Sequence, residues 1–139
     1  MILFRKICLE ELSRKGRAFN WESQACEKCK RQMWGHGFVC RYFSEVFSAL
    51  YLKRFRCPSC GVVATTRPDG YWRATRSSIL SIYAALSGRL RTGSWASNRQ
   101  RAGHWLRRFV AMVRMNYGDH SDLVAVLDSC LAKGLRFFP

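Results

Sequence analysis

The chain has 139 residues, 48% of them hydrophobic and 14% aromatic, and a formal net charge of +15. That apolar content is too high for a disordered tail, and the length allows one ordinary domain or two very small ones. No apolar run is long enough to span a bilayer, and self-repulsion at this charge calls for an anionic partner, of which nucleic acid is the usual one.

The opening, MILFRKICLEELSRKG, has three apolar residues before Arg5 and Lys6, then Glu10 and Glu11. A secretory signal needs an unbroken apolar stretch of about seven or more. A cytoplasmic protein is therefore expected. Disulfides are rare there, and seven cysteines, an odd number, fit poorly with a complete disulfide set. Residues 1–25 read as an N-terminal helical segment, with Cys8 as a small buried hydrophobe.

Residues 26–70 read as a zinc ribbon. CEKC, at 26–29, and CPSC, at 57–60, are two Cys-x2-Cys turns. Each such turn aims two sulfurs at one ion, and two turns complete a tetrahedron. The expected ligands are Cys26, Cys29, Cys57 and Cys60, and soft thiolates select zinc over hard cations. Four protein ligands leave no open position, so the single zinc is structural. The alternatives are a redox pair, which needs only one Cys-x2-Cys and a βαβ setting, and unligated thiols. The long spacer reads as a hairpin, with strands over 33–43 and 49–57 and the turn SEVFS between them. Such a hairpin sets the two knuckles side by side. Cys40 alternates with Phe38 and Tyr42 and reads as buried. His36, in WGHG, reads as a turn or phosphate contact, with replacement of a ligand as the alternative. Val62, Val63, Thr65 and Thr66 read as a third strand and PDG as a turn.

Residues 71–118 read as a basic helical region. Tyr71 and Trp72, beside Arg67, Arg73 and Arg76, either touch a nucleic-acid backbone or pack the ribbon. A helix is expected over 77–88, capped by Ser77 or Ser78 and ended by Gly88, with Ile79, Leu80, Tyr83 and Leu86 as its stripe. A second is expected from about Asn98 to Asn116, with Ser97 as cap and Gly118 as stop. Its apolar stripe is Ala102, Trp105, Leu106, Phe109, Met112 and Val113. The last segment, 119–139, reads as a helix capped by Ser121 and ended by Gly134, with Leu123, Val126, Leu127, Cys130 and Leu131 on one side, then the apolar tail LRFFP.

Charge is unevenly placed. Between Lys53 and Arg114 lie thirteen Lys or Arg and one acid, Asp69, hence +12; the rest has eleven basic and eight acidic residues, hence +3. Solvated faces normally interleave both signs, so a polyanion site is expected. The candidate nucleic-acid contacts are Arg73, Arg76, Arg89, Arg91, Arg99, Gln100, Arg101, His104, Arg107 and Arg108. Arg grips guanine, Gln pairs with adenine and the remainder take phosphates. Two helices joined by a turn suggest a helix-turn-helix, although the connection exceeds the usual three or four residues.

CEKC, WGHGF, RFRCPSCG, TTRPDGYW and RQRAGHWLRRF occur here in an order that resembles the zinc-binding N-terminal regions of bacterial insertion-sequence transposases and small related mobile-element proteins. The resemblance covers about residues 26–110 and implies a ribbon followed by a helix-turn-helix on DNA. Such transposases continue into a carboxylate catalytic domain, whereas the nine acids here form no dispersed active-site set, so no catalysis is expected. The sequence thus points to an α+β chain: a small zinc ribbon followed by a helix-turn-helix-like bundle. Its expected function is sequence-specific or structure-specific binding of duplex DNA, as an accessory or regulatory factor of a mobile element. A transposase or recombinase is the expected protein partner, with self-association through the C-terminal helix as a further option and no membrane partner. RNA binding by the ribbon aromatics, or a subunit role in a larger nucleoprotein assembly, are the alternatives.

Overall fold

The computed structural model describes residues 1–72, 75–95 and 98–134. The chain is α+β, with a four-stranded sheet and, among the described residues, four α-helices. It divides into two compact units, Met1–Ser78 and the chain from Ile79 onward. No helix among the described residues is long and apolar enough to cross a membrane.

In the first unit the strands are β1 (Ile2–Arg5), β2 (Trp34–Arg41), β3 (Leu50–Arg56) and β4 (Val63–Pro68), in the order β1-β4-β3-β2. β2 pairs antiparallel with β3, and β3 with β4. These are the three strands expected from the aromatic and β-branched runs. β1 is a correction to the helical reading of residues 1–25. It lies parallel to β4, with Ile2 opposite Thr65 and Arg5 opposite Pro68. Helix α1 takes only Leu9–Lys15. Four apolar-leaning residues have no period of their own, and the partner that makes them a strand is far along the chain.

Leu52 and Phe55 are three residues apart on β3, so they point to opposite faces of the sheet. Phe55 joins Leu3, Ala64, Met33, Cys26 and Cys57. Leu50 and Leu52 join Leu12 of α1, Phe43 and Tyr71. Trp21 packs against both groups. Tyr71 therefore has the packing role: its ring meets Phe43 edge-on at 4.7 Å, and its hydroxyl donates to Glu45 Oε2 at 2.8 Å. Two cysteines depart from expectation. Cys40 is exposed, because the side of β2 that it shares with the exposed Tyr42 faces solvent. Cys8 is exposed at the start of α1. Cys130 is buried as expected.

The second unit contains α2 (Ile79–Thr92), α3 (Arg99–Tyr117) and α4 (Leu123–Ala132), with α2 packed on both others. α2 does not stop at Gly88. It runs to Thr92 and ends at Gly93, which takes the left-handed φ of 72°. Its buried side is Ile82, Ala85 and Leu86, and Leu80, expected in the stripe, is 69% exposed. α3 is capped by Asn98, whose side chain accepts from the Arg101 amide at 3.1 Å; Ser97 lies outside the described residues. Ala102, Phe109 and Val113 are its buried residues, and Gly118 ends it at φ 88°. α4 is capped by Asp122 rather than Ser121. The Asp122 carboxylate accepts from the amides of Val124 and Ala125, while the Ser121 hydroxyl donates to the Tyr117 carbonyl. Both residue types cap well and they are adjacent, so composition alone does not choose between them. The LRFFP tail lies outside the described residues.

Candidate metal centre and basic helix face

The two Cys-x2-Cys segments fold into matching turns. In the first, the Cys26 amide donates to the Arg31 carbonyl at 2.8 Å and the Lys30 amide donates back to the Cys26 carbonyl at 2.8 Å. In the second, the Cys57 amide donates to the Val62 carbonyl at 2.9 Å and the Gly61 amide to the Cys57 carbonyl at 3.0 Å. The fourth residue after each leading cysteine is left-handed: Lys30 at φ 60° and Gly61 at φ 70°. This turn exposes backbone N–H groups to the sulfurs. The hairpin β2–β3 and strand β4 hold the second turn against the first.

All four sulfurs of Cys26, Cys29, Cys57 and Cys60 lie within 4.8 Å of one another. Cys26 and Cys60 are 3.5 Å apart, Cys29 and Cys57 3.3 Å, and Cys29 and Cys60 3.8 Å. A tetrahedron with metal–sulfur bonds of about 2.3 Å has edges of about 3.8 Å. The cluster is thus compatible with a single metal site and consistent with zinc. Cys26 and Cys57 are buried, and Cys29 and Cys60 are half-buried.

The electrostatics divide the four thiols. The Cys60 amide, then the Cys29 sulfur and the Ser59 amide, bring Cys57 down to about 6 against the cost of its burial. The Cys29 amide, with that of Lys28, lowers Cys26 in the same way. Cys60 is favoured as thiolate by the Val62 amide, yet burial and the neighbouring Cys57 sulfur push it up to about 11. Cys29 feels the Arg31 amide, but the Cys57 sulfur and burial raise it. Each turn therefore has one sulfur stabilised as an anion by amides and one that resists a second negative charge. A divalent cation removes that conflict. The sequence did not reveal the left-handed Lys30, because lysine carries no conformational signature there. Nor did it reveal the apolar jacket of Leu3, Met33 and Phe55.

The expected nucleic-acid contacts fall on several elements. Arg99, Gln100, Arg101, His104, Arg107 and Arg108 are all on α3 and all exposed, off the stripe that buries Ala102, Phe109 and Val113. On α2, Arg89 lies 5.2 Å from the Trp95 ring. Arg91 pairs with Asp128 of α4 at 2.6 Å, and Tyr83 donates to the other oxygen of that carboxylate at 2.8 Å. Arg91 is thus engaged within the helical unit. Arg76 is exposed near the end of the first unit, and Arg73 lies outside the described residues. His36 is exposed on β2 and is not among the four residues of the cysteine cluster.

The fold and site together define an α+β chain with a tetracysteine metal-type centre. Comparison with family models, with curated proteins and with solved structures finds no match.

Proposed function

We propose that the chain is a zinc-stabilised duplex-DNA-binding module, in which α3 is the element presented to the major groove. The observation that carries this reading is the exposed face of α3. It displays five arginines, Arg114 included, a glutamine and a histidine, and the helix contains no acid. Guanidinium and carboxamide groups pair with base edges, and the remaining cations take phosphates. The surplus of +12 between Lys53 and Arg114 supplies the non-specific attraction. Cys26, Cys29, Cys57 and Cys60 would hold the zinc, whose role is to supply folding free energy to the first unit. An accessory or regulatory role for a mobile element rests on the resemblance of the motifs and on their order.

The test is duplex binding at fixed salt by the Arg101→Ala/Arg107→Ala double variant. Loss of two charge-assisted contacts should weaken binding by about tenfold or more, with a shallower salt dependence. Affinity unchanged on every duplex tested removes the reading. A second reading, stacking of unpaired bases, is supported by Trp34, 68% exposed, and by the exposed Tyr42. Competition between single-stranded RNA and duplex DNA separates the two.

A further inference from the structure

The first unit contains a guanidinium whose position the cysteine centre does not explain. Arg67, on β4, is only 7% exposed. Its Nη2 donates to the Thr75 carbonyl, and its guanidinium lies 5.3 Å from the Phe43 ring centroid. Its Nε is buried and has no hydrogen-bond partner among the described residues. A second guanidinium, that of the exposed Arg41, shares with it a cleft of about 240 Å³. The cleft is lined by Ile2, Arg41, Leu52, Thr65, Thr66 and Arg67, with no carboxylate among them. The acids of the neighbouring turns are engaged elsewhere. Glu45 accepts from Tyr71 and from the Ser78 amide, and Asp69 from the Gly70 amide.

A buried arginine normally sits beside a carboxylate, because an uncompensated charge out of water is costly. Here its neighbour is another arginine. Burial first, and the charge of Arg41 second, lower the pKa of Arg67. The Phe43 contact and the Thr75 carbonyl account for where the side chain lies. They leave the Nε and the unbalanced charge unexplained. We propose that the Arg41–Arg67 cleft binds a tetrahedral phosphate-type oxyanion, held between the two guanidinium groups that line it. An anion there would offset the repulsion between the two cations. The site lies wholly within Met1–Ser78 and does not depend on the reading of α3.

The experiment uses the full chain with its metal and follows the Arg67 Nε–H resonance by proton–nitrogen NMR during titration with inorganic phosphate. Chloride at matched ionic strength is the control. The expected result is a saturable shift with phosphate and none with chloride. Arg41→Gln, an exposed position, should weaken the phosphate affinity about tenfold, as loss of one charge-assisted contact implies, while metal content stays unchanged. No saturable shift, or an identical titration in Arg41→Gln, overturns the proposal. Displacement of phosphate by a short DNA duplex identifies the anion as a nucleic-acid backbone group. Failure of the duplex to displace it identifies a free phosphoryl ligand, and either outcome supports the site.

Discussion

The paired turns of the cysteine centre make a prediction about two residues that touch no metal. Gly61 and Lys30 occupy the same left-handed position in their respective turns, at φ 70° and φ 60°. A Cβ on Gly61 would meet nothing within 4 Å. The cost of Gly61→Ala is therefore backbone strain alone, roughly 1–2 kcal/mol for an L-residue in this region. Restriction of the unfolded chain returns about 0.4–1 kcal/mol, which leaves a net loss of about 1 kcal/mol. Lys30→Gly reverses both effects, so a gain of about 0.5–1 kcal/mol is expected. For a unit of this size each kcal/mol moves Tm by about 4–8 °C. The assay is thermal unfolding of the two variants and the parent at one fixed free-zinc concentration, because a ligand that binds only the folded state itself raises Tm. The reasoning is refuted if Gly61→Ala is neutral, or if Lys30→Gly loses stability.

If the four cysteines hold the proposed zinc, a strong chelator should unfold Met1–Ser78 while the helices from Ile79 onward keep their far-ultraviolet signal, since the second unit has its own buried residues at Ile82, Leu86, Phe109, Val113 and Leu127. Phe109→Ala, at a fully buried position, should cost the helical unit about 3–5 kcal/mol, measured by urea titration. Asp122→Ala, which removes a carboxylate accepting from two amides, should cost about 1 kcal/mol in the same titration. The Asp128 carboxyl is held below its ordinary value by the Tyr83 hydroxyl and then by Arg91. A lowered folded pKa means that its contribution is complete above the unfolded value, near 3.9, and is lost as pH falls through the folded one. Asp128→Asn should flatten that acid limb and lower stability at neutral pH by the same small amount, as befits an exposed pair.

The cysteine centre was legible because its chemistry is written in spacing. Two Cys-x2-Cys pairs with a strand-rich spacer leave few other solutions, and the four sulfurs do converge. The polar face of α3 was legible for a similar reason: Arg101, His104 and Arg108 recur away from Ala102, Phe109 and Val113 with the helical period. What escaped was set by partners rather than by pattern. Ile2–Arg5 is a strand only because β4 offers it an edge. Gly88 reads as a stop, yet packing carries α2 on to Gly93. Cys40 keeps its alternation with Phe38 and Tyr42, but periodicity cannot say which side of a sheet is wet. Arg67 belongs to a run of basic residues and carries no mark of being buried.

The parallel pairing of β1 with β4 has a consequence for synthesis. Ile2–Arg5 leaves the ribosome first, while its partner, Val63–Pro68, is still to be translated. The last of the four clustered cysteines, Cys60, lies three residues before Val63, so the cysteine cluster and that edge emerge together. The opening strand must then dock onto an already assembled hairpin, a closure of long sequence separation that is intrinsically slow. Until it docks, β4 has one unpaired edge, and that interval is when a growing polypeptide of this kind is most open to pairing with its neighbours on the same message.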